Sequence, residues 1–431
     1  MSLPSTLHFA PKQNAINSTQ LQQIHIPLSG STVNPLDTIT IPLSTGKYAQ
    51  YLDPAQMYLS FQIYNPDTSY GFNVDHSAYS FIDRIQVQSS GGVLSDLQYF
   101  GVWASMIIDG ASQSAKSSGL SVVAAAGGTN ASTNNIIRGG TTVAKGSVIN
   151  VSLPFIGTIL DNTGGDKLIP VGAMNDLSIV IYMSSNKNAV VSTVAANPPT
   201  TSWQLKNFRV VATYVQIDEN AQRMVDNETD GVFRWSTTLW RGFNYTTSAT
   251  SQADAIIVPF KCSSAKSIFN TWRLIAGNEV YTSNVQSQRS NPFTPLGSSN
   301  TSSYFVQIGA ACIPNLPVRN ASEHFMEFQK AWHTSSVPAA YDCNMAPGEY
   351  DINSATAGSF CTGLDLESFT GKSGVAHSGV NITGGTTAII NCSYEAAFGQ
   401  TGAPSAACYI NTFLNYDAII EVSGGQSIVS Y

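Results

Sequence analysis

The chain has 431 residues, enough for two or three domains and a sizeable core, and 11% of them are charged against 43% hydrophobic. That balance excludes a disordered chain, which combines low hydrophobicity with high charge. The formal net charge of -7, with no basic run in any window, leaves nothing to displace counterions from a nucleic-acid backbone, so no direct nucleic-acid binding is expected.

The opening MSLPSTLHFAPKQ lacks the charged and apolar regions of a secretory signal, and no stretch approaches about 18 uninterrupted apolar residues, so a soluble intracellular product is expected. From there, period-2 alternation dominates. DTITIPL (37–43) puts Ile39, Ile41 and Leu43 on one face, and YLSFQIY (58–64) does the same with Leu59, Phe61 and Ile63. VINVSLPF (148–155) follows with Ile149, Val151 and Leu153, then LSIVIYM (177–183) with Leu177, Ile179, Ile181 and Met183. SWQLKNFRVVATYVQID (202–218) has no Gly or Pro and is rich in β-branched and aromatic residues, which predicts a long strand closing a sheet.

ENAQRMVDNETDG (219–231) is the most polar and helix-compatible stretch and reads as a linker. Beyond it the strand pattern restarts with DAIIVPF (254–260), SIFNTWRLI (267–275), SYFVQIGA (303–310), TTAIINCSY (386–394) and CYINTFLNYDAIIEV (408–422). The chain thus divides into an arm (1–22), a first β unit (23–218), the linker and a second β unit with a C-terminal tail (232–431). Asp37 to Leu43 and Asp254 to Phe260 share D-x-I-x-[IV]-P-[LF], near the start of each half, as two structural copies would.

Long Gly, Ala, Ser, Thr and Asn-rich loops are expected at 109–147 and 335–360. SEHFMEFQKAWH (322–333) predicts one helix, with Ser322 as N-cap, Glu323 in its first turn, and Phe325, Phe328 and Trp332 on a packing face.

Six cysteines, Cys262, Cys312, Cys343, Cys361, Cys392 and Cys408, lie without C-x-x-C spacing, which argues against structural zinc. They read as buried free thiols, with disulfides open to a product that leaves the cell. The Asn-x-Ser/Thr sequons carry no assigned role.

SFCTGLDLESFTGKS (359–373) raises two chemistries. Gly371-Lys372-Ser373 would need a glycine where Leu366 stands to wrap phosphate in backbone N–H groups, so nucleotide binding is not expected. Asp365 and Glu367 alternate as on one strand face and could form an acid-base pair, but no group that tunes them is visible. His324 and His333 are nine residues apart and face nearly opposite sides of a helix, so with Glu327 they do not match zinc-binding spacing. No nucleophile motif occurs, and the reading is of no enzyme, no catalytic, cofactor-binding or metal residues, and no cofactor.

LPFIGTILDNTGGDKLIPVGAMNDLSIVIYM (153–183) resembles the strand, turn and I-P corner that precede an alternating strand in double jelly-roll major capsid proteins. GLDLESFTGKSGVAHSGVNITGGTTAIINCSY (363–394) and INTFLNYDAIIEVSGGQSIVSY (410–431) carry Gly-x-Asp-Leu-Glu, a Ser-Gly-x-Asn-x-x-Gly turn and a last strand ending in Ile-Glu-Val. These are similar to major capsid proteins of polinton-like viruses, adintoviruses and virophages, small eukaryotic double-stranded DNA viruses.

The resemblance spans roughly residues 20–431. It implies an all-β fold of two consecutive eight-stranded antiparallel jelly rolls with long loops and a few short helices. It further implies a homotrimer forming a pseudo-hexagonal capsomer of an icosahedral shell, assembled inside the host cell and located in the virion. Implied partners are neighbouring capsomers, penton and minor capsid proteins, and an inner membrane or membrane-linked proteins. Two other classes stand beside it. One is a carbohydrate-binding β-sandwich adhesin or appendage protein, with Trp235 and Trp240 as candidate platform residues; the other is a jelly-roll hydrolase resting on Asp365 and Glu367.

Overall fold

Alternating side chains pair strands in a register that turns every second residue inward, and the alternating stretches of this chain do so. The structure, a computed structural model, describes residues 18–44, 46–75, 77–110, 123–125, 139–161, 167–192, 202–248, 250–274, 289–290, 303–319, 321–334, 361–367, 378–384, 386–397, 400–401 and 407–431.

In the first half eight strands run in chain order: β1 (Ser18–His25), β2 (Thr38–Pro42), β3 (Gln50–Tyr64), β4 (Ile82–Ser89), β5 (Gly92–Gln98), β6 (Val148–Pro154), β7 (Ser178–Met183) and β8 (Gln204–Ile217). They form two four-stranded antiparallel sheets, ordered β1-β8-β3-β6 and β2-β7-β4-β5. Ser18–Gln22, assigned above to an arm, pair with Thr213–Ile217 in the first of them. The long strand β8 lies between β1 and β3, inside its sheet. Three short strands, Phe72–Asp75, Gly139–Val143 and Val190–Ser192, make a separate small sheet.

The second half repeats the plan with β9 (Val232–Thr247), β10 (Ala253–Ile257), β11 (Ala265–Leu274), β12 (Ser303–Ile308), β13 (Ala311–Val318), β14 (Thr362–Asp365), β15 (Ala388–Ser393) and β16 (Cys408–Ser423). Strand β16 pairs with β9 and β11, β14 pairs with β11, and the facing sheet is ordered β10-β15-β12-β13. Eight positions on, every strand has the same neighbours as its counterpart. This is a double jelly roll. A last strand, β17 (Gln426–Ser430), folds back on β16 and occupies the edge that β11 leaves free.

The shared D-x-I-x-[IV]-P-[LF] segment coincides with β2 and β10, which are topological equivalents. Its inward positions are buried in both copies: Ile39, Ile41 and Leu43, and Ile256, Val258 and Phe260. The acidic residue is used differently. Asp37 accepts a hydrogen bond from the Asn34 N–H at 2.7 Å. The buried Asp254 accepts from Tyr394 Oη at 2.8 Å, and Tyr394 in turn accepts from Trp272 Nε1. Burial and the neighbouring carboxylate hold the Tyr394 hydroxyl far above its ordinary range.

Among the described residues, three helices of three or more turns connect the strands. Helix α1 (Phe100–Gly110) follows β5 at a place where no helix is expected. Its sequence, FGVWASMIIDG, is apolar nearly all round, so no 3.6-residue polarity contrast announces it. Helix α2 (Glu219–Thr229) is the linker: Asp218 caps it by accepting from the Ala221 N–H at 2.7 Å, and Asp230 ends it in the left-handed region at φ 53°. Tyr48 and Tyr51 donate to Asp226 and Gln222, tying the linker to the first half. Helix α3 (Ala321–Thr334) buries Phe325, Phe328 and Trp332 as the sequence predicts. It starts one residue early, so Ser322 lies in the first turn, and Glu323 accepts from the Arg319 N–H at 3.0 Å.

Because Ile39 and Ile256 occupy equivalent, fully packed places, Ile39→Ala and Ile256→Ala should each cost about 2–5 kcal/mol. Chemical denaturation checks this through a lower midpoint at unchanged slope.

Candidate functional site

The region around SFCTGLDLESFTGKS is a structural junction. Leu364 and Leu366 are buried, as expected of packing residues, while Phe360 and Gly371–Ser373, Lys372 included, lie outside the described residues. Strand β14 ends at Asp365, so Asp365 and Glu367 do not share a strand face as the alternation suggests. Asp365 Oδ1 instead accepts the Glu367 N–H at 2.9 Å.

Glu367 does have organising groups, which sequence reading did not find. Ser378 Oγ donates to its Oε1, and Lys266 Nζ stands 3.6 Å away and 4.0 Å from Asp417 Oδ1. Lys266 reaches both because β11 carries a bulge between Ala265 and Ser267. Asp417 also accepts from Ser264 Oγ at 2.6 Å, and Ser264 Oγ accepts the Gly379 N–H. The cluster ties β11, β16 and the segment after β14 together, with each carboxylate turned onto protein donors.

The other candidate residues are likewise engaged in packing. His324 is buried, with its ring 4.9 Å from Tyr304, and Glu327 pairs with Lys330. The side chain of His333 and all of Cys343 lie outside the described residues. Among those described, no three His, Cys, Asp or Glu side chains gather as a metal site would require. Cys262, Cys361, Cys392 and Cys408 are buried free thiols; burial raises Cys262 to about 12 and Cys408 to about 11, which keeps them protonated. Trp240 is 2% exposed, and Trp235 packs partly buried against the core, so neither forms an exposed aromatic platform.

Trp240 lies at the seam between the rolls. Here β5 and α1 of the first roll lie against β9 of the second, and the β4–β5 turn lies against β17. An aromatic chain crosses it: Trp103 to Trp240 at 5.3 Å, Trp240 to Phe269 at 5.6 Å, and Phe269 to Trp332 at 6.0 Å, all between ring centroids. Backbone meets backbone on either side. A Cβ on Gly242 would sit 2.3 Å from Gln98 O, and one on Gly91 would sit 2.2 Å from Ser427 O. Gly425 O accepts from the Asn175 N–H at 3.2 Å and from Ser90 Oγ at 3.0 Å. A glycine in mid-strand, as in WRGFNY, is the one cue to such an approach that a single sequence offers.

Charge also crosses the seam. Asp96 takes a bidentate pair from Arg84 at 2.7 and 2.8 Å, with Arg241 of the second roll at 3.9 Å. A small polar cavity is lined by Asp75 and Asp83 of the first roll and Arg273 of the second. Burial raises the Asp83 carboxyl, and Arg273 and Arg84 only partly oppose it; burial likewise lowers Arg273.

No protein-family model matches this sequence, and no curated protein matches it. Solved structures do match in fold. PBCV-1 VP54, fitted into a reconstruction of the virophage Sputnik, is similar with a TM-score of 0.59 at 10% identity, over 98% of each chain. The Sputnik virophage structure gives 0.57 at 9% identity, over 100% of this chain and 92% of that one. The Faustovirus major capsid protein gives 0.55 at 10% identity, over 98% and 93%. Each aligns with both rolls from end to end, so the double jelly roll is shared as a whole.

Trp240→Ala should cost about 3–5 kcal/mol and Gly242→Val about 1–3 kcal/mol, read from thermal or denaturant unfolding. A carboxyl raised in the folded state binds more protons folded than unfolded, so its contribution to stability falls as pH rises from 3.8 through the raised folded value. Asp83→Asn should flatten that part of the stability profile against pH.

Proposed function

We propose that this chain is the major capsid protein of an icosahedral virus, three copies of which form a pseudo-hexagonal capsomer. The observation that carries the reading is that two jelly rolls of one strand order run between Ser18 and Ser430, and that viral capsid proteins match this chain over 98% of both lengths. A shell protein needs broad neutral flanks for subunit contact, and 11% charged residues supply them. The carboxylates that could have supported a hydrolase, Asp365 and Glu367, are turned onto backbone and onto Lys266 and Ser378 respectively, which favours a structural role over an enzymatic one.

In this reading the functional units are two rolls, the first including Ser18–Gln22 that the sequence assigns to an arm (1–22) and running to 218, the second over 232–431, with the helical link 219–231 between them. The virion shell is its location. Its partners are two further copies, neighbouring capsomers, penton and minor capsid proteins, and an inner membrane or membrane-linked proteins. The genome is not contacted directly, because the net charge of -7 offers no counterion-releasing surface.

Light scattering coupled to size exclusion should give three times 45.9 kDa for the expressed chain, with hexagonal outlines in negative stain. A stable monomer under assembly conditions would refute the proposal.

A further inference from the structure

Alone among the described lysines, Lys266 faces two carboxylates, with Nζ 3.6 Å from Glu367 Oε1 and 4.0 Å from Asp417 Oδ1. The Lys266 side chain is 14% exposed, that of Glu367 12% and that of Asp417 7%, so an amine and two carboxylates meet largely shielded from water. Their neighbours in sequence, Ala265, Ser267, Leu366, Tyr416 and Ala418, are buried as well.

Lys266 and Asp417 come from β11 and β16, which are hydrogen-bonded neighbours. Lys266 is the extra residue of the bulge, between Ala265 paired with Tyr416 and Ser267 paired with Asn415. Asp417 is held further by hydroxyls: Oδ2 accepts from Ser264 Oγ at 2.6 Å, and Oδ1 from Thr238 Oγ1 at 3.3 Å. Glu367 stands past the end of β14, and Ser378 Oγ donates to its Oε1. An ion pair needs one carboxylate. A lysine between a carboxylate fixed on the adjoining strand and a second carboxylate has the parts of an acyl transfer: a nucleophile, an acyl carbon and a proton carrier.

We infer that Lys266 and Asp417 join in an isopeptide bond, formed once within the folded chain with Glu367 carrying protons, which staples β11 to β16. Glu367 takes a proton from Lys266 Nζ, the freed lone pair forms a bond to Asp417 Cγ, and the bond from Cγ to Oδ1 breaks. Ser264 donates to Oδ2, where negative charge gathers as Cγ becomes tetrahedral. Oδ1 leaves as water with two of the three ammonium protons, the third stays on the amide nitrogen, and Glu367 ends as it began. An ammonium and a carboxylate thus become an amide and water with nothing added. Strand pairing supplies the proximity that this reaction lacks in solution, and burial favours the product, since two ions that are costly to desolvate become one neutral amide. The chain acts only on itself, so its role stays structural, and the bond depends on no part of the capsid reading.

Intact mass spectrometry of the unmodified full chain, after folding, should give a mass one water below that of the sequence. Trypsin should release a branched species joining 262–273, uncut after Lys266, to 373–431, which contains no Lys or Arg, with fragmentation placing the branch at Asp417. Glu367 falls in a different peptide, 331–372, so a link from Lys266 to Glu367 would be read directly and overturns the assignment. Lys266→Arg keeps the cation, removes the nucleophile and should restore the full mass. Glu367→Gln should leave most of the chain at full mass; a complete link in that variant overturns the role given to Glu367. An unmodified chain that is folded by near-ultraviolet circular dichroism yet keeps the full mass, with 262–266 and 267–273 cut apart, overturns the proposal. Because the mass and the branched peptide are read on the unmodified chain, a variant that fails to fold leaves the test intact.

Discussion

Backbone can approach backbone between the two rolls only where no Cβ intervenes. At Gly242 against Gln98 and at Gly91 against Ser427 the spacing leaves no room for one, and where α1 meets β9 Trp103 and Trp240 pack ring to ring. Close packing of this kind transmits position: with the backbones seated, the rolls have one relative placement, and every outer surface has a defined place relative to the others. The β17 hairpin secures the end of this contact, through Gly425 and Ser427 against Ser89, Ser90 and Asn175.

Two groups of charges stand at junctions. Asp96 holds Arg84 and Arg241 together from opposite rolls, and Lys266 sits between Glu367 and Asp417 where three segments of the second roll converge. Such pairs contribute little net stability once desolvated, but a lone member left in the same place is costly, so they penalise misalignment more than they reward contact. A carboxylate pair that looks reactive in sequence is engaged in the same way: Asp365 Oδ1 accepts a backbone N–H, and Glu367 Oε1 faces Ser378 and Lys266.

Duplication left the same strand order in both halves and different uses for it. Among the described residues, the outer face of one four-stranded sheet is buried by the other roll in the second half and open around Ile24 in the first. Equivalent positions therefore meet different demands. Trp240 and Phe269 fill the buried face, whereas Ile24 and a ladder of amides occupy the open one.

Much of the fold is legible in the sequence because strand burial has period 2. The inward residues of β2, β3, β6 and β7 can be named from alternation alone, and D-x-I-x-[IV]-P-[LF] identifies β2 and β10 as equivalents. Helix α3 is legible through its apolar stripe, and α1 is not, since a helix buried all round has no stripe. The candidate site was much less legible. Asp365 and Glu367 stand out as a pair, yet the cation that faces Glu367, Lys266, comes from a strand about a hundred residues earlier, beside a β-bulge, and shares itself with Asp417 from another strand. Local pattern, by itself, determined which residues point inward and that the chain is made twice over. Only tertiary structure decided which outer face would be covered, because that follows from how two finished surfaces fit, and no residue records the shape of a surface it does not touch until folding brings the two together.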